Sequence, residues 1–343
     1  MTTSTDSAQA SALSPSAQHL LDIAVTRSAR DAAAFVLREL DGGRTAATLV
    51  TEVLAPVQAE VGERWQRNLM TAGDEHAATA IIDNALATLA VTAPLPRVPD
   101  QGSMAVVCAH GDWHTLPARM AAELWRWEGW DVLFLGGSLP PADLGSWLAS
   151  SQPDVLAVSC SVALYLPGAL RVAEAAAGAG VPCVVGGSGL GTDSRRAAAL
   201  GVRWAGTPAG LAAALAAPMP TVQPAGLAGR RQEADELNAT ADEIVDAAMR
   251  GLADRLPASR SYTARQLAQT KQDFRYLIGF LAAAVLCDDP PLFTDSLDWL
   301  QSVVNGRHVP PVELKISVAV LVEALPATHL RAHALCRTAV GAL

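Results

Sequence analysis

The chain has 343 residues, half of them hydrophobic and 17% charged, with a net charge of −9. That length allows two or three domains with substantial cores, and the acidic balance argues against a nucleic-acid surface. No apolar run is long enough to span a bilayer.

Residues 1–16 are rich in Ser, Thr and Ala and lack a basic stretch followed by an apolar core. They read as a disordered tail rather than a signal peptide. Cys108, Cys160, Cys183, Cys287 and Cys336 are odd in number, scattered and without metal spacing. They read as small buried hydrophobes of a reducing, cytoplasmic compartment.

Residues 17–92 carry helical periodicity. His19 to Leu40 is one apolar-spaced segment with a break expected near Arg27-Ser28, and Asp41-Gly42-Gly43 is a turn. Arg44 to Arg67 places Leu49, Val53, Leu54, Val57, Val61 and Trp65 on one side of a long helix. Thr71 with Asp74 predicts a capping box opening a helix to about Val91. Four helices suffice for a bundle. Trp65 then falls in the last turn of one helix, and Glu75 and His76 in the first turns of its antiparallel neighbour. On residues alone this is a tryptophan ending a core stripe beside a charged first turn.

Residues 93–103 hold three prolines and read as a linker. Strand and helix patterns then alternate through 104–217. The expected strands are Met104–Ala109, Asp131–Leu135, Asp154–Ser159, Cys183–Gly186 and Val202–Ala205. The expected helices are 118–128, 141–150, 165–179, 193–200 and 208–216. Such alternation predicts a flavodoxin-like, doubly wound parallel sheet of five strands, whose ligand edge is the carboxyl end of the strands. Ser138, Ser159, Ser161 and Gly186-Gly187-Ser188-Gly189 fall at that edge. So does the loop Gly111-Asp112-Trp113-His114-Thr115-Leu116-Pro117, where an acid two residues from a histidine can hold the second ring nitrogen of a metal ligand. A plain polar loop, or a flavin site at the glycines, are the readings that residues alone leave beside it. There is no Gly-x-Gly-x-x-Gly after the first strand and no Walker pattern.

Asp112-x-His114 resembles the signature of cobalamin-binding domains, although Pro117 stands where that family carries glycine and Ala163 where a threonine is often found. The resemblance implies that His114 is the lower axial ligand of cobalt, oriented by Asp112. It further implies that Trp113, Thr115, Leu116, Ser138, Ser159, Ser161, Val162, Gly186, Gly187 and Ser188 line the cofactor and its nucleotide tail. Trp65-x9-Glu75-His76 is similar to the helical cap of light-sensing cobalamin-dependent repressors. It implies that Trp65 and Glu75 enclose an adenosyl group above cobalt, and that His76 ligates cobalt after photolysis, with the corrin between bundle and sheet edge.

Residues 218–231 are rich in Pro, Gly and Ala and read as a second linker. Residues 232–343 read as an all-α domain, with helices expected over 233–256, 263–288, from Pro290 to a stop at Asn305-Gly306, 311–325 and 328–343. It shows no helix-turn-helix with a basic face. A dimerisation or output module is one reading. The order of domains also resembles the photocobilins, which implies a globin- or phycobiliprotein-like domain holding biliverdin. Asp273, Arg275, Tyr276, Arg307, His308 and His329 are then the candidate contacts. Cys287 and Cys336, in apolar helical context, are expected to be inert.

The expectation is therefore a cytoplasmic, non-enzymatic photoreceptor that binds adenosylcobalamin, with no DNA-binding domain, no membrane span and a homodimeric assembly. Three alternatives stay open: a methylcobalamin carrier of a methyltransferase system, a repressor, and a cofactor-free scaffold.

Overall fold

The computed structural model describes residues 13–96, 98–217, 224–306 and 311–342. The chain divides into two compact units, Met1–Leu95 and Pro96–Leu343.

The first unit is helical. Ser14 accepts the Ala17 N–H and opens α1 (Pro15–Thr26), so the helix begins inside the segment expected to be tail. The expected break falls at Arg27, whose left-handed φ of 63° ends α1. Ser28 then accepts the Asp31 N–H and starts α2 (Ala29–Asp41). The long third helix is not uniform: α3 (Ala46–Leu49) passes through a π turn, Val50–Leu54, into α4 (Ala55–Gln66). Pro56 has no N–H to give to the carbonyl four residues back, and a local π turn absorbs the missing bond. The capping box at α5 (Ala72–Thr92) forms as expected. Thr71 Oγ1 accepts the Asp74 N–H at 3.1 Å, and Asp74 accepts the Thr71 N–H at 3.2 Å. Leu20, Leu21, Phe35, Val36, Leu49, Leu54, Val57, Ile82, Leu86 and Leu89 form the core between these helices.

The second unit is built on five parallel strands, β1 (Gly102–Cys108), β2 (Trp130–Gly136), β3 (Val155–Ser159), β4 (Cys183–Gly186) and β5 (Arg203–Ala205), in the order β2-β1-β3-β4-β5. The chain reverses its winding at β1, so the switch point lies between the carboxyl ends of β1 and β3. One sheet face, with Met104, Val106, Cys108, Ala157 and Val184, packs under α6 (Thr115–Trp127) and α10 (Leu211–Ala216). The other, with Ala105, Val107, Leu156, Val158 and Val185, packs under α7 (Pro141–Ser151), α8 (Leu166–Gly178) and α9 (Arg195–Leu200). Burial on both faces explains the unbroken apolar strands.

The C-terminal region is helical: α11 (Leu227–Ala239), α12 (Ala241–Arg255), α13 (Ala264–Cys287), α14 (Pro290–Gly306), α15 (Pro311–Ala324) and α16 (Leu330–Ala342). The helix expected over 233–256 is two helices, because Thr240 leaves helical geometry and turns its hydroxyl back onto the Glu236 carbonyl at 2.8 Å. These helices are not a free-standing domain. Leu227, Ala234, Phe274, Leu277, Ile278 and Leu281 share one continuous core with Leu166, Leu170 and Leu200 of the sheet layer. Buried Arg230 pins the junction by donating to the carbonyls of Ala199, Ala225 and Leu286.

Candidate cofactor site

The β1–α6 loop begins at the switch point and ends on a helix N-terminus. Helix α6 starts at Thr115, three residues before the expected 118, with His114 as the preceding cap residue. Pro117 is therefore in the first helical turn. A residue there has no helical partner for its N–H, so proline is tolerated where the family's glycine would be.

Asp112 is fully buried and organises the loop. Its Oδ1 accepts from the His114 backbone N–H at 2.9 Å and lies 2.7 Å from His114 Nδ1. Its Oδ2 accepts the Ser161 N–H at 2.7 Å, which ties the β1 loop to the β3 loop across the switch point. With Nδ1 donating to the carboxylate, Nε2 carries the lone pair, and 55% of the His114 side chain is open to solvent. That is the donor set of a monodentate metal ligand with an acid behind it. Among the described residues no group of three or more His, Cys, Asp or Glu could hold a metal ion.

Around this core the other expected residues are placed as follows. Ser138, at a left-handed φ of 48°, accepts the Gly111 N–H through Oγ at 3.0 Å. Trp113 is exposed beside Gly137, Thr115 is half-buried, and Leu116 is buried. Ser188 Oγ donates to the Ser161 carbonyl at 2.6 Å. The Ser161 hydroxyl is buried with no partner among the described residues, and Val162 beside it is half-buried. Gly187 has φ 101°, and a Cβ there would stand 2.5 Å from the Cys160 carbonyl oxygen. Only glycine fits this backbone approach.

Ser159, Gly186, Gly187 and Ser188 line one cavity of about 360 Å³ that runs from the sheet edge to α6 and the 206–208 turn. Its inner wall is Val106, Ala118, Ala121, Trp125, Ala157, Val184 and Ala205. Sequence reasoning missed these wall residues, since a cavity-lining Val or Ala has the pattern of a core Val or Ala. Trp125 closes the wall by donating Nε1–H to the Pro208 carbonyl at 2.9 Å. An orphaned hydroxyl, a glycine cradle and a mostly apolar cavity at the same sheet edge as the histidine loop fit a corrinoid with its nucleotide tail.

Burial pushes the Cys108 thiol up to about 12, with the Asp112 charge adding to it. Burial likewise raises the Tyr165 phenol, again with help from Asp112.

In the helical unit, Trp65 lies in the last turn of α4, half-buried, and Glu75 and His76 lie in the first turn and a half of α5. Gln58 Nε2 on α4 donates to Thr79 Oγ1 on α5 at 2.9 Å, and that hydroxyl donates to Glu75 Oε1 at 2.9 Å. His76 Nδ1 lies 2.8 Å from both Glu75 Oε2 and the Ala72 carbonyl, and 82% of its side chain is exposed.

Of the residues expected for a tetrapyrrole, Asp273, Arg275 and Tyr276 share one turn of α13, and only Asp273 among the described ones lines a cavity. Asp273 lines a cavity of about 420 Å³ among α12, α13, α14 and α15, floored by Leu252, Phe274, Leu277 and Leu300. The Arg275 guanidinium is taken by Asp242 on α12 at 2.8–2.9 Å. Tyr276 is part-exposed, and His329 is buried near Glu236 of α11. Arg307 and His308 lie outside the described residues. Burial pushes the Cys287 and Cys336 thiols up to about 12, so neither offers a thiolate for a thioether.

Residues 102–215 match the family described as the B12 binding domain, and residues 17–90 match a second family of the same description. The two matched segments carry the histidine loop and the Trp65/Glu75/His76 helices. Among curated proteins the chain is similar to the HTH-type transcriptional repressor CarH of Myxococcus xanthus, 34% identical over 108 residues. That match spans 32% of this chain and 35% of the relative, about a third of each. Solved structures similar to it include the monomethylamine corrinoid protein of Methanosarcina barkeri, at 17% identity and a TM-score of 0.49 over 57% of this chain and 95% of that one. Another is a cobalamin-binding protein of Desulfitobacterium hafniense DCB-2, at 16% identity and a TM-score of 0.31 over 58% and 95%. No helix among the described residues is long and apolar enough to cross a membrane.

Proposed function

We propose that the protein is a light sensor that binds adenosylcobalamin. In this reading His114 is the lower axial ligand, and Asp112 fixes its tautomer and aim. Ser159, Ser161, Gly186, Gly187 and Ser188 accommodate the nucleotide tail in the apolar cavity. Trp65 and Glu75 shield the adenosyl face, and His76 offers Nε2 as a conditional upper ligand. Bound adenosylcobalamin would supply a cobalt–carbon bond weak enough for visible light to break; the chain supplies orientation and enclosure. The observation that carries the light-sensing part is the Gln58–Thr79–Glu75–His76 chain at the helix ends that also hold Trp65. It supports an adenosyl-facing cap rather than a bare helix terminus.

The test is the absorption spectrum of protein reconstituted with adenosylcobalamin, before and after green light. A light-driven change that is altered in Trp65→Ala is expected. An unchanged spectrum defeats the reading. A spectrum and cofactor choice indifferent to Trp65, with methylcobalamin bound equally well, would favour a corrinoid carrier instead.

For the C-terminal helices the photocobilin resemblance still proposes biliverdin, with the cavity at Asp273 as its place. Expression with biliverdin and cobalamin supplied would give a red-absorbing band beside the corrin bands. Without that band the helices are a packing and output element only.

A further inference from the structure

The loop after β3 has two sides. On one, Ser161 gives its N–H to Asp112 at 2.7 Å. On the other, Leu164 packs on α13, where a Cβ built on Gly279 would stand 3.4 Å from the Leu164 Cβ. Between them the 3₁₀ turn Ala163–Tyr165 aims the Tyr165 ring at the histidine loop. The ring centroids of Tyr165 and His114 are 6.4 Å apart at an interplanar angle of 53°. The same ring covers Gly111, whose φ is 92° and where a Cβ would stand 3.2 Å from Tyr165 Cδ1. Tyr276 of α13 is near enough that its phenol adds to the upward shift of Tyr165.

Asp112 constrains His114 through one ring nitrogen. The tilted Tyr165 ring lies to the side of the imidazole, and an aromatic ring in that geometry restrains it at low entropy cost. We propose that Tyr165 is a positioning residue that holds the His114 imidazole in its ligating orientation, buttressed from behind by α13 through Leu164. The C-terminal helices thereby bear on the floor of the cofactor site. The inference rests on the reading of His114 as axial ligand, so its test has one arm without cofactor.

In the apo full-length chain, rotamer averaging at His114 is measured by NMR side-chain couplings for wild type, Tyr165→Phe, Tyr165→Leu and Tyr165→Ala. In the loaded chain the ratio of His-on to base-off absorption is compared at one pH, with melting temperature as the fold control. Tyr165→Phe keeps the ring and is expected to match wild type in both arms. Tyr165→Ala is expected to average the rotamers and lower the His-on ratio roughly two- to tenfold, the range an aromatic contact commands. Tyr165→Leu stands in if the alanine variant does not fold. Unchanged rotamers and ratio in the alanine or leucine variant overturn the proposal. So does a phenylalanine variant that behaves like alanine, since the hydroxyl and not the ring would then be acting. A wild type that binds corrinoid with no His-on band sinks the ligand reading alone, and the apo arm still decides Tyr165.

Discussion

His114 and His76 both turn Nδ1 toward a carboxylate at 2.7–2.8 Å, but what stands behind each carboxylate differs. Asp112 is fully buried and its second oxygen is fixed by the Ser161 backbone. Its position is set by two strand ends, and His114 inherits that rigidity. Glu75 sits on a helix surface at 22% side-chain exposure, held by the Thr79 hydroxyl, and His76 is almost wholly in solvent. In the proposed reading, that makes the first histidine suited to permanent ligation and the second to a change of partner. An acid beside a histidine is therefore not one motif. Its meaning depends on what holds the acid.

The comparison breaks first at the rigid end. Gly187→Ala forces a Cβ against the Cys160 carbonyl at φ 101°. Neither atom is the tip of a flexible side chain, so backbone must move. Strain of this kind costs roughly 1–3 kcal/mol before the clash is counted. A fall in Tm of about 5–10 °C is expected, at roughly 2–4 °C per kcal/mol for a unit of this size. Corrinoid binding is expected to be lost with it, measured by spectroscopic titration. Next comes Asp112→Ala. It strands the Ser161 N–H and the His114 N–H, at about 1–3 kcal/mol for each donor that stays buried. Losing the acid behind a metal-bound histidine lowers metal affinity about 10–100-fold. Asp112→Asn retains an acceptor and should fall between. Equal titration curves for wild type and Asp112→Ala would remove the case for a preorganised ligand. Thr79→Val is smaller again. It cuts the bridge from Gln58 to Glu75 and is expected to cost the helical unit about 0.5–1.5 kcal/mol, read by chemical denaturation.

The rigid part was also the more legible in the sequence. Apolar strands buried on both faces announce themselves as uninterrupted runs, and glycines at strand ends mark where backbone approaches backbone. Asp112-x-His114 could be read as a pair because two residues on one loop are neighbours in any fold. The start of α6 was misplaced because His114 caps it without a side-chain bond, so no Ser, Thr or Asp marked the boundary. Tyr165 could not be found, since it looked like the first residue of the helix over 165–179 and its contact with His114 spans distant loops. The packing of α13 was half legible. Phe274, Leu277, Ile278 and Leu281 declare a helix that must be buried, but no local pattern says that part of the cover is the sheet layer of residues far earlier in the chain. Linker-like composition over 218–231 suggested a boundary that the shared core does not respect.

The smallest predicted effect is the most discriminating. His76→Ala removes an imidazole whose side chain is 82% exposed, and a surface truncation of this kind stays within about 0.5 kcal/mol. The melting curve should not move. The dark spectrum of the adenosylcobalamin-loaded chain should also be that of wild type if, as proposed, His114 alone is the lower ligand. After green light the two proteins should part, the variant lacking the spectral change that an imidazole brings to the upper face. If wild type and His76→Ala give the same spectrum after light, the exposed histidine is a solvated helix residue and the Glu75 network a cap. If they already differ in the dark, His76 ligates in the resting state, and the distinction between a permanent and a conditional histidine disappears.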